Sequence, residues 1–186
     1  MQPTWWKILL KSVALWFVLA GILGLNACTR EGPQLPEATT TPQVFTQWAA
    51  AAEASSQFGY PDWSARRATG APEIITCSDD PRAWASARGG GLQWLLLTFS
   101  QPVYATEVAI HQTFGRGAIS KVLLVAVDGT TEEIWAGADS DSPCPGVLSI
   151  SIPRTAYRVA KVRIELDESR TDFWNEIDAV ALIGER

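Results

Sequence analysis

Few side chains in this sequence are equipped for covalent chemistry. His111 is the one imidazole of the chain, and it sits inside an alternating apolar stretch from Glu107 to Thr113. No G-x-S-x-G elbow and no H-E-x-x-H pair stands anywhere in the chain to give it a nucleophile or a zinc ion to work with. A structural or exposed strand histidine is the simpler reading. Adjacent acids occur at Asp79-Asp80 and Glu132-Glu133. Glycoside-cleaving carboxyls stand roughly 5 to 10 Å apart across a cleft, and adjacency in sequence places nothing across a cleft. Glu132-Glu133 reads most simply as the solvated start of a hairpin arm, so no catalytic set emerges and the chain is not expected to be an enzyme. Recognition chemistry is better supplied. Trp63, Phe114 with Arg116, and Trp174 stand near loops, where a flat aromatic face beside a fixed polar group can stack on a ring-shaped ligand. Burial in the core is the alternative for each tryptophan taken singly, and Trp84 and Trp94 are expected there.

The first residues, M-Q-P-T-W-W-K-I-L-L-K, carry Lys7 and Lys11 and no acid, and the stretch from Ser12 to Leu25 is apolar or small. A charged leader followed by an apolar run too short for the roughly 20 residues of a membrane span reads as an export signal. It ends in Leu25-Asn26-Ala27-Cys28, which resembles the bacterial lipoprotein box, with Asn26 as its one departure. The resemblance implies cleavage of residues 1–27 and lipids on Cys28. At roughly 0.8 kcal/mol per buried CH₂, the two or three acyl chains so implied anchor a protein firmly where one would not. An ordinary secretory signal and an uncleaved anchor helix over residues 8–25 are the other readings. All three place the rest of the chain at the extracytoplasmic face of the cell envelope. Its net charge of −5 becomes more negative when the two lysines of the leader are removed, which argues against nucleic acid as a partner.

With Cys28 committed to lipid, Cys77 and Cys144 form an even pair in an oxidising compartment and are expected to be disulfide-bonded, two unrelated thiols being the alternative. A zinc site is poorly supplied, with one histidine and no further cysteine at ligand spacing.

Residues 28–43 contain prolines and almost no large apolar side chain, as a flexible tether does. From residue 44 to 186 the period is two, which predicts one β-rich domain. Lys161 to Leu166 alternates charged and branched residues, and Leu148, Ile150 and Ile152 alternate with Ser149 and Ser151. Val122 to Val127, Asp128-Gly129 and Glu133 to Trp135 spell a hairpin. Trp94 to Phe99, Glu107 to Thr113 and Ile177 to Ile183 predict further strands, the last apolar on both faces and therefore central. One short helix is expected to start at the N-cap Asp62 and stop at Gly70, while Ala49 to Ala54 favours helix by composition and nothing by context. Short strands with turn signals between them predict an all-β antiparallel sandwich.

These strands carry recognisable phrases: A-S-S-Q-F at 54–58, W-S-A-R-R-A-T-G-A-P at 63–72, A-W-A-S at 83–86, Q-P-V-Y-A-T-E-V at 101–108, and Glu176 through Gly184. Together they resemble a discoidin-related, galactose-binding-like domain, similar to the pappalysin SD-scarf domain and to the N-terminal domain of some F-box/leucine-rich-repeat proteins. The resemblance implies a jelly-roll β-sandwich whose loops at one end bind sugars, lipids or proteins. It also implies, as in many discoidin relatives, a structural Ca²⁺, with Glu176 in the place of the glutamate before the final strand and Asp80 on a neighbouring loop. A solvated or N–H-capping carboxylate is the alternative for Glu176. Gln112 and Gly115-Arg116 depart from the family's usual Glu and Asn-Pro. The expectation is a lipid-tethered, non-catalytic module for a glycan or other surface ligand; the alternative is a structural lipoprotein that holds a protein partner.

Overall fold

The computed structural model describes residues 43–87 and 89–186. The leader, Cys28 and the tether through residue 42 lie outside the described residues. Eight strands follow in order: β1 (Val44–Trp48), β2 (Ala51–Ala54), β3 (Leu92–Phe114), β4 (Ile119–Ala126), β5 (Thr131–Ala136), β6 (Gly146–Ser151), β7 (Arg158–Asp167) and β8 (Glu176–Glu185). All their pairings are antiparallel.

The 23-residue β3 organises the rest. Its first part pairs with β2 and β7, and β7 continues through β4 to β5. Its second part pairs with β6 and β8, and β8 with β1. The β3–β7 register slips between Thr98 and Val103, where Pro102 has no N–H to give the ladder. Two stretches that read as separate strands, 94–99 and 107–113, are thus one chain passing from one sheet layer to the other.

Alternation decides what each layer buries. Val159, Val162, Ile164 and Leu166 on β7 are fully buried while Lys161, Arg163 and Glu165 are not. They meet Leu95 and Leu97 of β3 and Val122 and Leu124 of β4, and the opposite layer adds Val108, Ile110, Val180 and Leu182 to one core. Each such aliphatic side chain contributes about 1.5–3 kcal/mol when removed from water. Strand β8 is buried along both faces, as its unbroken apolar run requires. The β4–β5 hairpin turns at Gly129, whose φ of 88° suits glycine, and Glu133 on its solvated arm pairs with Lys121.

Two local expectations need correction, and three elements were undecided or without a signal in the sequence. Ala51–Ala54 is strand, because pairing with β3 from Leu95 to Thr98 outweighs alanine's weak helical preference. The expected helix is a 3₁₀ turn, Ala65–Ala68, with Ser64 rather than Asp62 as its N-cap. Trp63 has a φ of 52°, outside the right-handed helical region, and Asp62 pairs instead with Arg67. A second 3₁₀ turn, Glu168–Arg170, and the strand β1 had no legible signal in the sequence. Trp94 does not plug the core. It alternates with the inward Leu95, so its ring lies on the outer face beneath the Arg163 guanidinium, 4.7 Å from the ring centroid.

Candidate ligand-binding site

One end of the sandwich is built where β3 finishes and β8 begins. Phe114, the last residue of β3, pairs in register with Glu176, the first of β8. The loop leading into β8 sets Phe173 and Trp174 beside them. Gly115 is needed for this approach: its φ is 54°, and a Cβ there would lie 2.0 Å from the Trp174 carbonyl oxygen.

The long segment between β2 and β3 folds over the same end and is pinned at several points. Trp84 is fully buried; its backbone exchanges hydrogen bonds of 2.9 and 3.0 Å with Ile177. Its indole N–H donates to the Ser56 carbonyl at 3.1 Å. The Phe58 N–H donates to the Ala85 carbonyl and the Trp63 N–H to the Pro81 carbonyl. Buried Asp178 accepts from the N–H groups of Glu73 and Ile74. The Cys77–Cys144 disulfide ties this segment to the loop between β5 and β6, which removes the reading of two unrelated thiols. Trp63 holds its left-handed backbone here, a conformation that costs of order 1–3 kcal/mol in a bulky residue and is concentrated at functional sites.

The result is a cavity of about 220 Å³ lined by Phe58, Trp63, Asp79, Ala85, Phe114, Trp174 and Glu176. Phe58 stands edge-on to both tryptophans, with ring centroids 5.3 Å from Trp63 and 5.8 Å from Trp174. Phe173 backs Phe114 at 5.5 Å. The indole N–H of Trp63 donates to Asp79 Oδ1 at 3.1 Å, which orients ring and carboxylate together. Phe58 and Trp174 remain 53% and 38% exposed, a large apolar area to leave in water unless something covers it.

Glu176 forms the floor. It is 2% exposed and accepts from the Asp80 backbone N–H at 3.1 Å and the Thr113 hydroxyl at 3.3 Å. Burial pushes its pKa up to about 8, and the neighbouring Asp79 carboxyl adds to the push. Asp80 and Glu176, the residues expected beside a structural Ca²⁺, are both engaged by protein partners in this structure. Ca²⁺ needs six to eight oxygens with several ionised carboxylates among them. Asp80 instead spends both oxygens on Arg82, at 2.9 and 2.6 Å, and that guanidinium holds its pKa below the ordinary range. Glu176 caps the Asp80 backbone N–H, as its alternative reading has it.

Of the residues singled out for ligand contact, Trp63, Phe114 and Trp174 meet at the cavity and Arg116 does not join them. Arg116 is 5% exposed. One guanidinium nitrogen donates to the Pro143 carbonyl and the other faces Asp139 at 3.4 Å. It braces the loop that carries Cys144 and does not line the aromatic cavity. The same brace explains Gln112, whose amide donates to Asp139 at 2.7 Å and accepts from Asn175 at 2.7 Å; a glutamate there would set two carboxylates together. His111 lies beside Trp48, with ring centroids 5.4 Å apart, its pKa lowered by burial. Sequence reasoning missed Phe58, and it assigned Asp79 and Glu176 no place in this wall. A more polar cleft of about 360 Å³ lies around Arg66, Arg67 and Arg82, two of which are already paired with Asp62 and Asp80.

An antiparallel sandwich with its ligand-sized cavity among the loops at one end is a galactose-binding-like, discoidin-related domain. Residues 37–186 match the model of the pappalysin-1 SD scarf domain, C-terminal, and the chain belongs to that family. None of the curated proteins compared with it matches. Among solved structures it is similar to chitosan-binding module 1 of a chitosanase/glucanase from Paenibacillus sp. IK-5. The TM-score is 0.52 at 17% identity, over 72% of this chain and 92% of that one. The CBM32 of AlyQ in complex with 4,5-unsaturated mannuronic acid gives 0.53 at 17%, over 74% and 97%. The family 32 CBM of C. perfringens NanJ in complex with galactose gives 0.54 at 13%, over 75% and 99%.

Proposed function

We propose that this protein is a non-catalytic glycan-binding module, held outside the cytoplasm by lipid on Cys28 and presenting its loop-end cavity to the surroundings. The observation that carries the reading is the convergence of Phe58, Trp63, Phe114 and Trp174 on one cavity. Partly exposed aromatic faces with fixed polar groups at their edge suit the apolar face of a pyranose. Support comes also from the carbohydrate ligands of structurally similar modules and from the lipoprotein-like sequence at Leu25 to Cys28.

A glycan array probed with the full chain in detergent is expected to yield saturable sugar binding. Trp174→Ala is expected to weaken it about tenfold or more, because a stacked aromatic near the centre of a site carries a large share of the binding energy. The ring is exposed enough that its loss should leave the melting temperature near that of the wild type. No binding to any sugar, with a fixed protein partner recovered instead from membranes, would favour the structural-lipoprotein alternative.

A further inference from the structure

We propose that the cavity selects a sugar bearing a free, protonated amine, the ammonium sitting between Asp79 and Glu176 while the pyranose packs on the tryptophans. This rests on the glycan-binding reading and narrows it to one chemical class. Sandwiches of this fold include modules for chitosan, for a uronic acid and for galactose, so the fold leaves the ligand's charge open.

The lining decides the charge. Its polar side chains, Asp79 and Glu176, are both acids, and none of the described residues lining it is basic. Arg82, close by in the same loop, is held by both oxygens of Asp80. An anionic sugar would bring its carboxylate against the exposed Asp79 with no cation in the lining to offset them, which disfavours that class. A cation meets the opposite situation. The negative faces of aromatic rings attract it, and the two carboxyl groups accept its hydrogen bonds.

The carboxyls also select among cations. A quaternary ammonium has no N–H and would use the rings alone. A primary ammonium donates three hydrogen bonds, and this wall offers acceptors at two heights: the exposed Asp79, steadied by the Trp63 N–H, and the buried Glu176 below it. Acetylation of the amine removes both the charge and two of its three donors.

Calorimetry on the full chain in detergent tests this, with four probes: a glucosamine oligosaccharide, the N-acetylglucosamine oligosaccharide of equal length, an oligogalacturonate and choline chloride. The glucosamine probe is expected to bind about tenfold or more tightly than each of the others. Asp79→Asn is expected to remove most of that preference while a neutral sugar's weaker binding persists, and Glu176→Gln, which keeps an acceptor oxygen, to reduce it less. Glutamine keeps the acceptor for the Asp80 N–H, so circular dichroism should show Glu176→Gln folded. Equal or tighter binding of the acetylated or acidic probe, still lost in Trp174→Ala, overturns the amine assignment and leaves the glycan reading in place. Choline binding as tight as glucosamine overturns the requirement for N–H donors. Failure of all four probes together with failure of the wider glycan array overturns both readings.

Discussion

Replacing Cys77 and Cys144 together with serine is expected to lower the unfolding free energy by roughly 4 kcal/mol. The bond joins residues 67 apart in sequence, and closing a loop of that length removes much of the freedom of the unfolded chain. A domain of this size has about 5–15 kcal/mol to lose, so the midpoint of thermal unfolding should fall by roughly 10 °C or more. The loss is not confined to the unfolded state. Cys77 lies two residues before Asp79, and Cys144 follows Pro143, whose carbonyl receives Arg116. Releasing the bond frees the acidic wall of the cavity from the braced loop opposite, so binding should weaken along with stability. Urea titration of wild type, double-serine variant and dithiothreitol-treated protein measures the first effect, and the sugar titrations above the second. A shift corresponding to less than about 1 kcal/mol would mean that the unfolded chain is already constrained between these points.

The second large effect is a fall in stability as pH rises from about 6.5 to 8, of order 2 kcal/mol. Glu176 has an ordinary pKa of 4.5 and a folded value of about 8, raised by burial; burial likewise lifts Glu168 to about 7. Between the unfolded and folded values the native state keeps protons that the unfolded chain has released. Raising the pH across that window therefore favours unfolding, and the effect levels off above about 8. His111 works in the other sense. Burial lowers its pKa, so below about 6.5 the unfolded chain takes up a proton that the native state does not, which offsets part of the carboxyls' effect there. Above about 6.5 the histidine no longer contributes and the carboxyls alone set the slope. Glu176→Gln cannot ionise and should flatten that slope markedly. Melting temperatures of both proteins at half-unit steps from pH 5 to 9 provide the check; a wild-type curve that is level or rising from 6.5 to 8 would show Glu176 to be ionised in the native state.

The sequence by itself determined the strands whose two faces differ. In β7 and the β4–β5 hairpin, each residue's burial follows from its own type and its neighbour's, so a period of two and an Asp-Gly turn write the structure locally. The unbroken apolar run of β8 likewise announced a central strand, and the pairing of Cys77 with Cys144 followed from parity on the expectation that Cys28 carries lipid. Tertiary structure decided the rest because the information is not local. Alanines at 51–54 became strand through what lies across from them on β3. Trp94 faces outward because Leu95 faces in. Arg116, legible only as a charged residue in a glycine-rich turn, is buried because Asp139 and the Pro143 carbonyl arrive from another loop. The cavity itself depends on the β3–β8 register, which sets Phe114 against Glu176, and on the hydrogen bonds that bring Phe58, Trp63 and Asp79 over them. Aromatic type and loop position pointed to three of its walls. Its acidic floor was decided by chain segments about a hundred residues apart being folded to within hydrogen-bonding distance, as Asp80 and Glu176 are.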